Sequence, residues 1–494
     1  MRSSGILMHI TSLPGAYGVG TMGKEAFAFV DFLKDAGQSC WQILPLTPTG
    51  YGDSPYQSCS TFAGNHYLID LDALVEEGLL KAEELETVQW CRREDKVDFG
   101  LLYNSRISIL RLAYDRFRAG EDFDAFCAEN AAWLPDFALF MALKDRNGGK
   151  PWQEWEAGLR QRREPDMAKA RSELSREIRF YSFVQYLFFR QWNALHHYAA
   201  EQGITIIGDV PIYVPFDSAE VWAEPGLFQL DENLHPTVVA GCPPDAFSED
   251  GQLWGNPIYR WEEMKKDGYS WWLRRLAAAG KLYDVVRMDH FRGLEAYWAV
   301  PYGDTTARNG RWIKGPDKDF IRAVKQGLPQ LKMIAEDLGF LTQEVLELKE
   351  FSGYPGMKVL QFGFDPREPS DYLPHTYTGN SVCYTGTHDN LTMRQWFDTA
   401  DEVMLDFAGR YLNLKEEKDY VWDVIRTAFA SVSDLCIIPM QDYLDLGAEA
   451  RMNFPGTLSD KNWTWRLKSG IINKDLAKKI RDLTALYARL GNQS

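Results

Sequence analysis

Three lone carboxylates follow short apolar runs: Asp289 in RMDHFRG, Glu336 in IAEDLG and Asp389 in TGTHDN. Cleaving an acetal through an oxocarbenium-like transition state takes two carboxyl groups, one as nucleophile or base and the other as acid. Asp289 follows Val285, Val286, Arg287 and Met288, at the mouth of a strand. Arg287 stands two residues earlier, hence on the same side of that strand. Such a cation is expected to depress the Asp289 pKa and keep it ionised, as a nucleophile requires. Glu336 ends Met333-Ile334-Ala335, where burial or a second acid would raise its pKa for proton donation. Asp389, beside His388, is placed to hold sugar hydroxyls and face the charge that develops at the anomeric carbon. A rival set, Asp289, His290, His388 and Asp389 around a metal, is disfavoured because the chain has no HxH or HExxH spacing. The carboxylate roles require no cofactor.

Acids so far apart in the chain meet only if separate strands deliver them to one rim. A parallel (β/α)8 barrel does this, building its site from the C-terminal ends of different strands. Eight apolar runs without helical period read as strands buried on both faces: 5–10, 39–46, 204–212, 285–289, 332–336, 358–362, 381–385 and 435–440. Helical patterns lie between them. Residues 25–36 put Phe29, Phe32, Leu33 and Ala36 on one face and stop at Gly37. Thr342 can cap a helix running to Lys349, and 319–326 is a further candidate. The last pattern, 475–490, aligns Leu476, Ile480, Leu483, Tyr487 and Leu490. Two connections, 47–203 and 213–284, are too long for plain loops. The first is mainly helical, with amphipathic segments at 105–120 and 134–146, and 174–202 reads as the barrel helix feeding the third strand. The expectation is one barrel domain over 1–494 with insertion subdomains at about 47–175 and 213–284 on the catalytic side, mainly helical, and no C-terminal β-sandwich domain.

A formal charge of −16 argues against a nucleic-acid or acidic-membrane partner, since both call for basic patches. Aromatic content of 14%, with 17 Trp, suits a protein that stacks on sugar rings. Cys40, Cys59, Cys91, Cys127, Cys242, Cys383 and Cys436 are odd in number and form no CxxC pair. A reducing, cytoplasmic compartment follows more simply than a disulfide framework or zinc site. The opening MRSSGILMHITSLPG has a short apolar run broken by His9, better read as the first strand than as a signal peptide. No run reaches the roughly 18 apolar residues of a membrane helix.

Longer motifs run through most of the chain: SLPGAYGVG, LPLTPTGYGDSPYQS at 44–58, FAGNHYLIDL at 62–71, GDVPIYV at 208–214, PPDAFSEDGQLWGNPIYRW at 243–261, then RMDHFRG, AEDLG, GTHDN and RMNFPGT at 451–457. As an ordered set they resemble 4-α-glucanotransferases of the amylomaltase type, relatives of the α-amylases. The resemblance implies transfer of α-1,4-glucan segments from a maltooligosaccharide donor to an acceptor glucan or glucose. It implies a retaining mechanism, with Asp289 as nucleophile, Glu336 as acid/base and Asp389 as transition-state stabiliser. By the same resemblance Tyr56 is the aromatic platform under the sugar at the cleavage point, and Asp209, Arg287 and His388 bind that sugar. Ser54, Asp245, Trp254, Asn256 and Asn453 are implied contacts to neighbouring units. Phe247 would cover the acceptor, and Ala246 stands where relatives often carry a second aromatic. Cys242 in this loop reads as a small buried residue. Two carboxylates also suffice for an α-1,4-glucan hydrolase, and a non-catalytic carbohydrate-binding protein is the alternative from another class. A lid at 243–257 would favour a sugar acceptor over water, and a binder has no use for a buried proton donor.

Overall fold

The computed structural model describes residues 2–50, 52–244, 249–339 and 341–491. Among these the strands are β1 (Ser3–Leu7), β2 (Cys40–Gln42), β3 (Thr205–Val210), β4 (Val238–Cys242), β5 (Gln252–Pro257), β6 (Val285–Met288), β7 (Ala296–Pro301), β8 (Arg311–Lys314), β9 (Lys332–Ala335), β10 (Gly356–Val359), β11 (Ser381–Tyr384) and β12 (Leu435–Pro439). Eight close into a parallel barrel in the order β1-β12-β11-β10-β9-β6-β3-β2. Their short Val- and Ile-rich runs suit strands covered on both faces. Gly5 admits the closure: a Cβ there would come within 2.5 Å of the Cys40 carbonyl oxygen and 2.8 Å of the Ile437 side chain. The fold is the expected (β/α)8 barrel.

A strand occupies each expected position, but most expected runs extend too far. The run 39–46 is strand only over Cys40–Gln42; Ile43 N still donates to Ile207 O at 2.9 Å, while buried Leu44 and Leu46 donate to His9 Nδ1 and the Tyr283 hydroxyl instead. The run 5–10 ends as a strand at Leu7 and turns into a 3-10 helix at Ile10–Ser12, and 358–362 becomes Gly356–Val359 with a 3-10 turn at Leu360–Gly363. Apolar character persists at these rims because other elements cover them, so burial outlasts the ladder.

The helices follow with similar shifts. Lys24–Asp35 buries Phe29, Phe32 and Leu33, and Asp317–Gly327 replaces 319–326. Gln343–Ser352 runs past Lys349 to a left-handed Gly353, and Thr342 precedes it without making the expected side-chain cap. The last helix, Lys474–Leu486, ends before Tyr487 and Leu490 and is capped by the Asn473 side chain accepting from Leu476 N. The first insertion is helical as expected, with Phe99–Arg116 and Leu134–Arg146, and the 27-residue helix Ser175–Glu201 leads into β3.

The second insertion differs from expectation. It contributes β4 and β5 to an antiparallel sheet of order β5-β4-β7-β8, completed by strands from an excursion after β6. β8 carries little sequence signal, since Arg311, Trp312 and Lys314 all face solvent, whereas β4 and β7 are short apolar runs, VVAGC and AYWAVP, outside the eight barrel runs. Among the described residues no helix is long and apolar enough to cross a membrane.

Candidate active site

Three neighbouring strands, β3, β6 and β9, bring the first acids together. Asp209 pairs in register with Arg287, and Met288 with Ala335. The ladder continues one residue past β6 and β9: Asp289 N donates to Val210 O at 3.1 Å, and Glu336 N to Met288 O at 3.0 Å. Both acids therefore leave the barrel from fixed backbone. His290 then takes a left-handed conformation, φ 52°, and turns the chain. Its N–H donates to Glu336 Oε2 at 2.8 Å, and Leu338 N donates to Oε1 at 2.9 Å, so both carboxyl oxygens are held.

Arg287 lies inside this ring of acids. Its Nη1 is 2.6 Å from Asp209 Oδ2 and 3.1 Å from Asp289 Oδ1. Asp209 Oδ2 also accepts from the Tyr56 hydroxyl at 2.7 Å. Tyr56 stacks on His388, with centroids 5.2 Å apart and planes 15° apart. An aromatic face is thus anchored to the same ion cluster as the acids.

The electrostatics depart from the sequence reading at Asp289. Arg287 pulls its pKa down, but burial pushes it up more strongly, and Asp209, Glu336 and Asp389 add to the rise. The net shift is upward, although 29% of the side chain is open to solvent. Burial outweighs the cation, whose shorter contact is with Asp209. Glu336 is raised as expected, with burial exceeding the pull of Arg287 and of its two N–H donors. Two raised carboxyl groups side by side retain one proton between them at a pH where isolated carboxyls have lost theirs. Burial also lowers the His388 pKa, which favours a neutral ring.

Asp389 sits on the loop after β11. Asp442, 1% exposed, holds both ends of this loop by accepting from Thr385 Oγ1 at 2.6 Å and Met393 N at 2.8 Å. Asn453 Nδ2 donates to Asp389 Oδ1 at 2.7 Å, and Arg451 Nη2 donates to the Asp389 carbonyl at 3.0 Å. The structure thus places Asn453 directly on an acid of the rim.

The remaining residues divide. Ser54 Oγ accepts from Tyr56 N at 3.2 Å, within the turn that presents the ring. Trp254 meets His290 edge-on at 4.8 Å. Asn256 is 5% exposed, and its Oδ1 accepts from Gln57 Nε2 at 3.5 Å, so it lies under the rim. Cys242 is half-buried at the end of β4, not buried as expected. Asp245, Ala246 and Phe247 lie outside the described residues.

Sequence reasoning missed four contributors: Asp442, Arg451, His9 and Trp463. Trp463 tilts against both Tyr56 and His388, at 5.8 and 5.9 Å. His9 Nδ1 accepts from Leu44 N at 3.3 Å, and burial with nearby His388 pushes its pKa down to about 3. The NWTW run at 462–465 carried a signal, two Trp in a polar stretch close to RMNFPGT. Asp442 carried none, since an acid after a strand is also an ordinary helix start.

Fold and rim together define the class: a (β/α)8 enzyme of glycosidic-bond chemistry. The family model described as 4-alpha-glucanotransferase matches residues 8–473, and the chain belongs to that family. It is 48% identical to a 4-alpha-glucanotransferase of Clostridium butyricum, over 98% of this chain and all of the relative. A 4-alpha-glucanotransferase of Thermus thermophilus is also 48% identical, over 99% of both. Among solved structures, amylomaltase from Streptococcus agalactiae in complex with acarbose superposes with a TM-score of 0.96 at 41% identity, covering 99% of this chain and all of that one.

Proposed function

We propose that the protein moves α-1,4-glucan segments from a maltooligosaccharide donor to the 4-hydroxyl of an acceptor glucan or glucose, in a retaining double displacement with Asp289 as nucleophile. The observation that carries this reading is the pair of acids clamped on adjacent strands, Asp289 beside Arg287 and Glu336 under two N–H donors. The sugar at the cleavage point stacks on Tyr56 and is held by Asp209, Arg287 and His388. Glu336 gives its proton to the departing glycosidic oxygen while Asp289 attacks the anomeric carbon, forming a glycosyl ester. Asp389, fixed by Asn453, faces the positive charge of the transition state. The acceptor hydroxyl then gives its proton to Glu336 and displaces Asp289, restoring both acids.

Ser54, Trp254 and Asn256, with Asp245 and Phe247, serve the flanking glucose units. Loop 243–257 acts as the lid that favours a sugar acceptor over water. The chain forms one barrel domain with insertion subdomains at about 47–175 and 213–284. It works in the cytoplasm, a placement supported by free thiols at Cys40, Cys59, Cys91, Cys127, Cys383 and Cys436.

Incubation with maltotriose tests the reading. A ladder of longer oligomers together with glucose is the expected product. Glucose and maltose alone would mean hydrolysis, and an unchanged substrate would mean a binder.

A further inference from the structure

β8 is the outer strand of the antiparallel sheet, and among the described residues its Trp312 is the one exposed tryptophan, at 41%. Register pairs Leu253 with Gly241, Gly241 with Trp298, and Trp298 with Trp312, so the four share a face. Trp254, next in β5, belongs to the opposite face and meets His290. The loop after β7 covers the middle of the Trp312 face. Ala307 packs there on Val239 and Val300, and Trp298 Nε1 donates to Ala307 O at 2.8 Å. Trp312 lies beyond this cover.

The indole is nonetheless fixed. The Arg292 guanidinium stands over its ring at 4.0 Å, and Trp298 meets it edge-on, with centroids 5.3 Å apart and planes at 69°. A ring backed by a cation and braced at its edge loses little conformational freedom when a ligand covers its open face. Leaving that face in water is unfavourable unless something apolar and flat covers it. The C–H face of a glucose unit has that shape, and a polymeric α-glucan reaches well past any catalytic cleft. We propose that Trp312 is a surface platform that binds α-glucan chains away from the reacting acids. This rests on the glucanotransferase reading, and it adds a site that only long chains use.

Wild type, Trp312→Ala and Trp312→Phe are compared in native gels with and without glycogen, and in turnover of maltotriose. Glycogen should retard Trp312→Ala less, its apparent dissociation constant rising about 2- to 13-fold, the effect of losing one stacking face. Trp312→Phe should fall between, and both should keep wild-type kcat/KM on maltotriose. Unchanged retardation would overturn the proposal. Equal losses on glycogen and maltotriose would also overturn it, because Trp312 would then act by supporting Arg292 near the cleft. Independently of any variant, mild indole oxidation of the wild type, read by peptide mass, should be slowed at Trp312 by glycogen and not by maltotriose. Equal rates with and without glycogen would contradict it. A wild type that leaves maltotriose unchanged would defeat the glucanotransferase reading instead.

Discussion

Arg287 makes its shorter contact with Asp209, at 2.6 Å, and only a 3.1 Å contact with Asp289, two residues along its own strand. One guanidinium is thus divided between two acids, while Glu336 and Asp389 add further negative charge around Asp289. The rim is built at some cost to the fold, as expected where function sets the charges.

That cost has a sign. A carboxyl whose pKa is raised in the fold keeps its proton where the unfolded chain has lost it. Its contribution to stability is therefore full below the ordinary carboxyl value of about 4 and fades as pH rises toward the folded value. Asp289→Asn, which cannot ionise, should raise Tm at pH 7.5 and raise it less at pH 5. Thermal scans at both pH values check this, and a lowered Tm at pH 7.5 would contradict it.

The roles proposed for Asp289 and Glu336 also predict a pH dependence of catalysis. With Asp289 as nucleophile and Glu336 as proton donor, as proposed, the first must be ionised and the second protonated, so kcat/KM should be bell-shaped, with both limbs belonging to the coupled pair. Glu336→Gln should flatten the alkaline limb on a substrate whose leaving group needs no proton. An alkaline limb unchanged in that variant would assign the proton elsewhere.

Asn453 offers a sharper test of positioning, through its 2.7 Å bond to Asp389. A hydrogen bond to a charged group contributes about 1.5–3 kcal/mol, roughly a 10- to 150-fold change in rate if it acts wholly in the transition state. Asn453→Ala should lower kcat/KM on maltotriose within that range while leaving circular dichroism unchanged. Wild-type turnover would show that Asp389 needs no such partner.

Much of this arrangement was legible in the sequence. Val285–Met288 and Lys332–Ala335 are apolar runs ending in an acid, and the barrel rule converts such ends into a shared rim. What stayed hidden depended on through-space sums. Arg287 sits near Asp289 by local spacing, but Asp209, 78 residues away, takes its stronger contact. Asn453 reads as a sugar contact in a loop motif, and the bond from its Nδ2 to Asp389 could not be read there. In the antiparallel sheet the exposed strand Arg311–Lys314 carries no apolar run to announce it, while the apolar runs Val238–Cys242 and Ala296–Pro301 lie outside the eight-strand barrel pattern.

The lid proposed at 243–257 bears on the choice between acceptors. If Phe247 stacks on the acceptor sugar, Phe247→Ala costs about 0.5–1.5 kcal/mol for sugars and nothing for water. The ratio of transfer to hydrolysis should fall roughly 2- to 13-fold, with no neighbouring ring to substitute, since Ala246 precedes it. Free reducing ends measured against chain redistribution give the ratio. An unchanged value would place acceptor choice elsewhere on the rim.

The central claim is that Asp289 becomes covalently bonded to the transferred glucan. In Glu336→Gln, a maltosyl fluoride donor can still load the enzyme because fluoride departs without a proton, while removal of the ester lacks its base. Rapid acid quench, proteolysis and mass measurement of the peptides should find one maltosyl adduct on the peptide carrying Asp289, absent from the double variant with Asp289→Asn. A Glu336→Gln enzyme that consumes the fluoride yet carries no adduct on Asp289, or carries it on another acid, would contradict the mechanism.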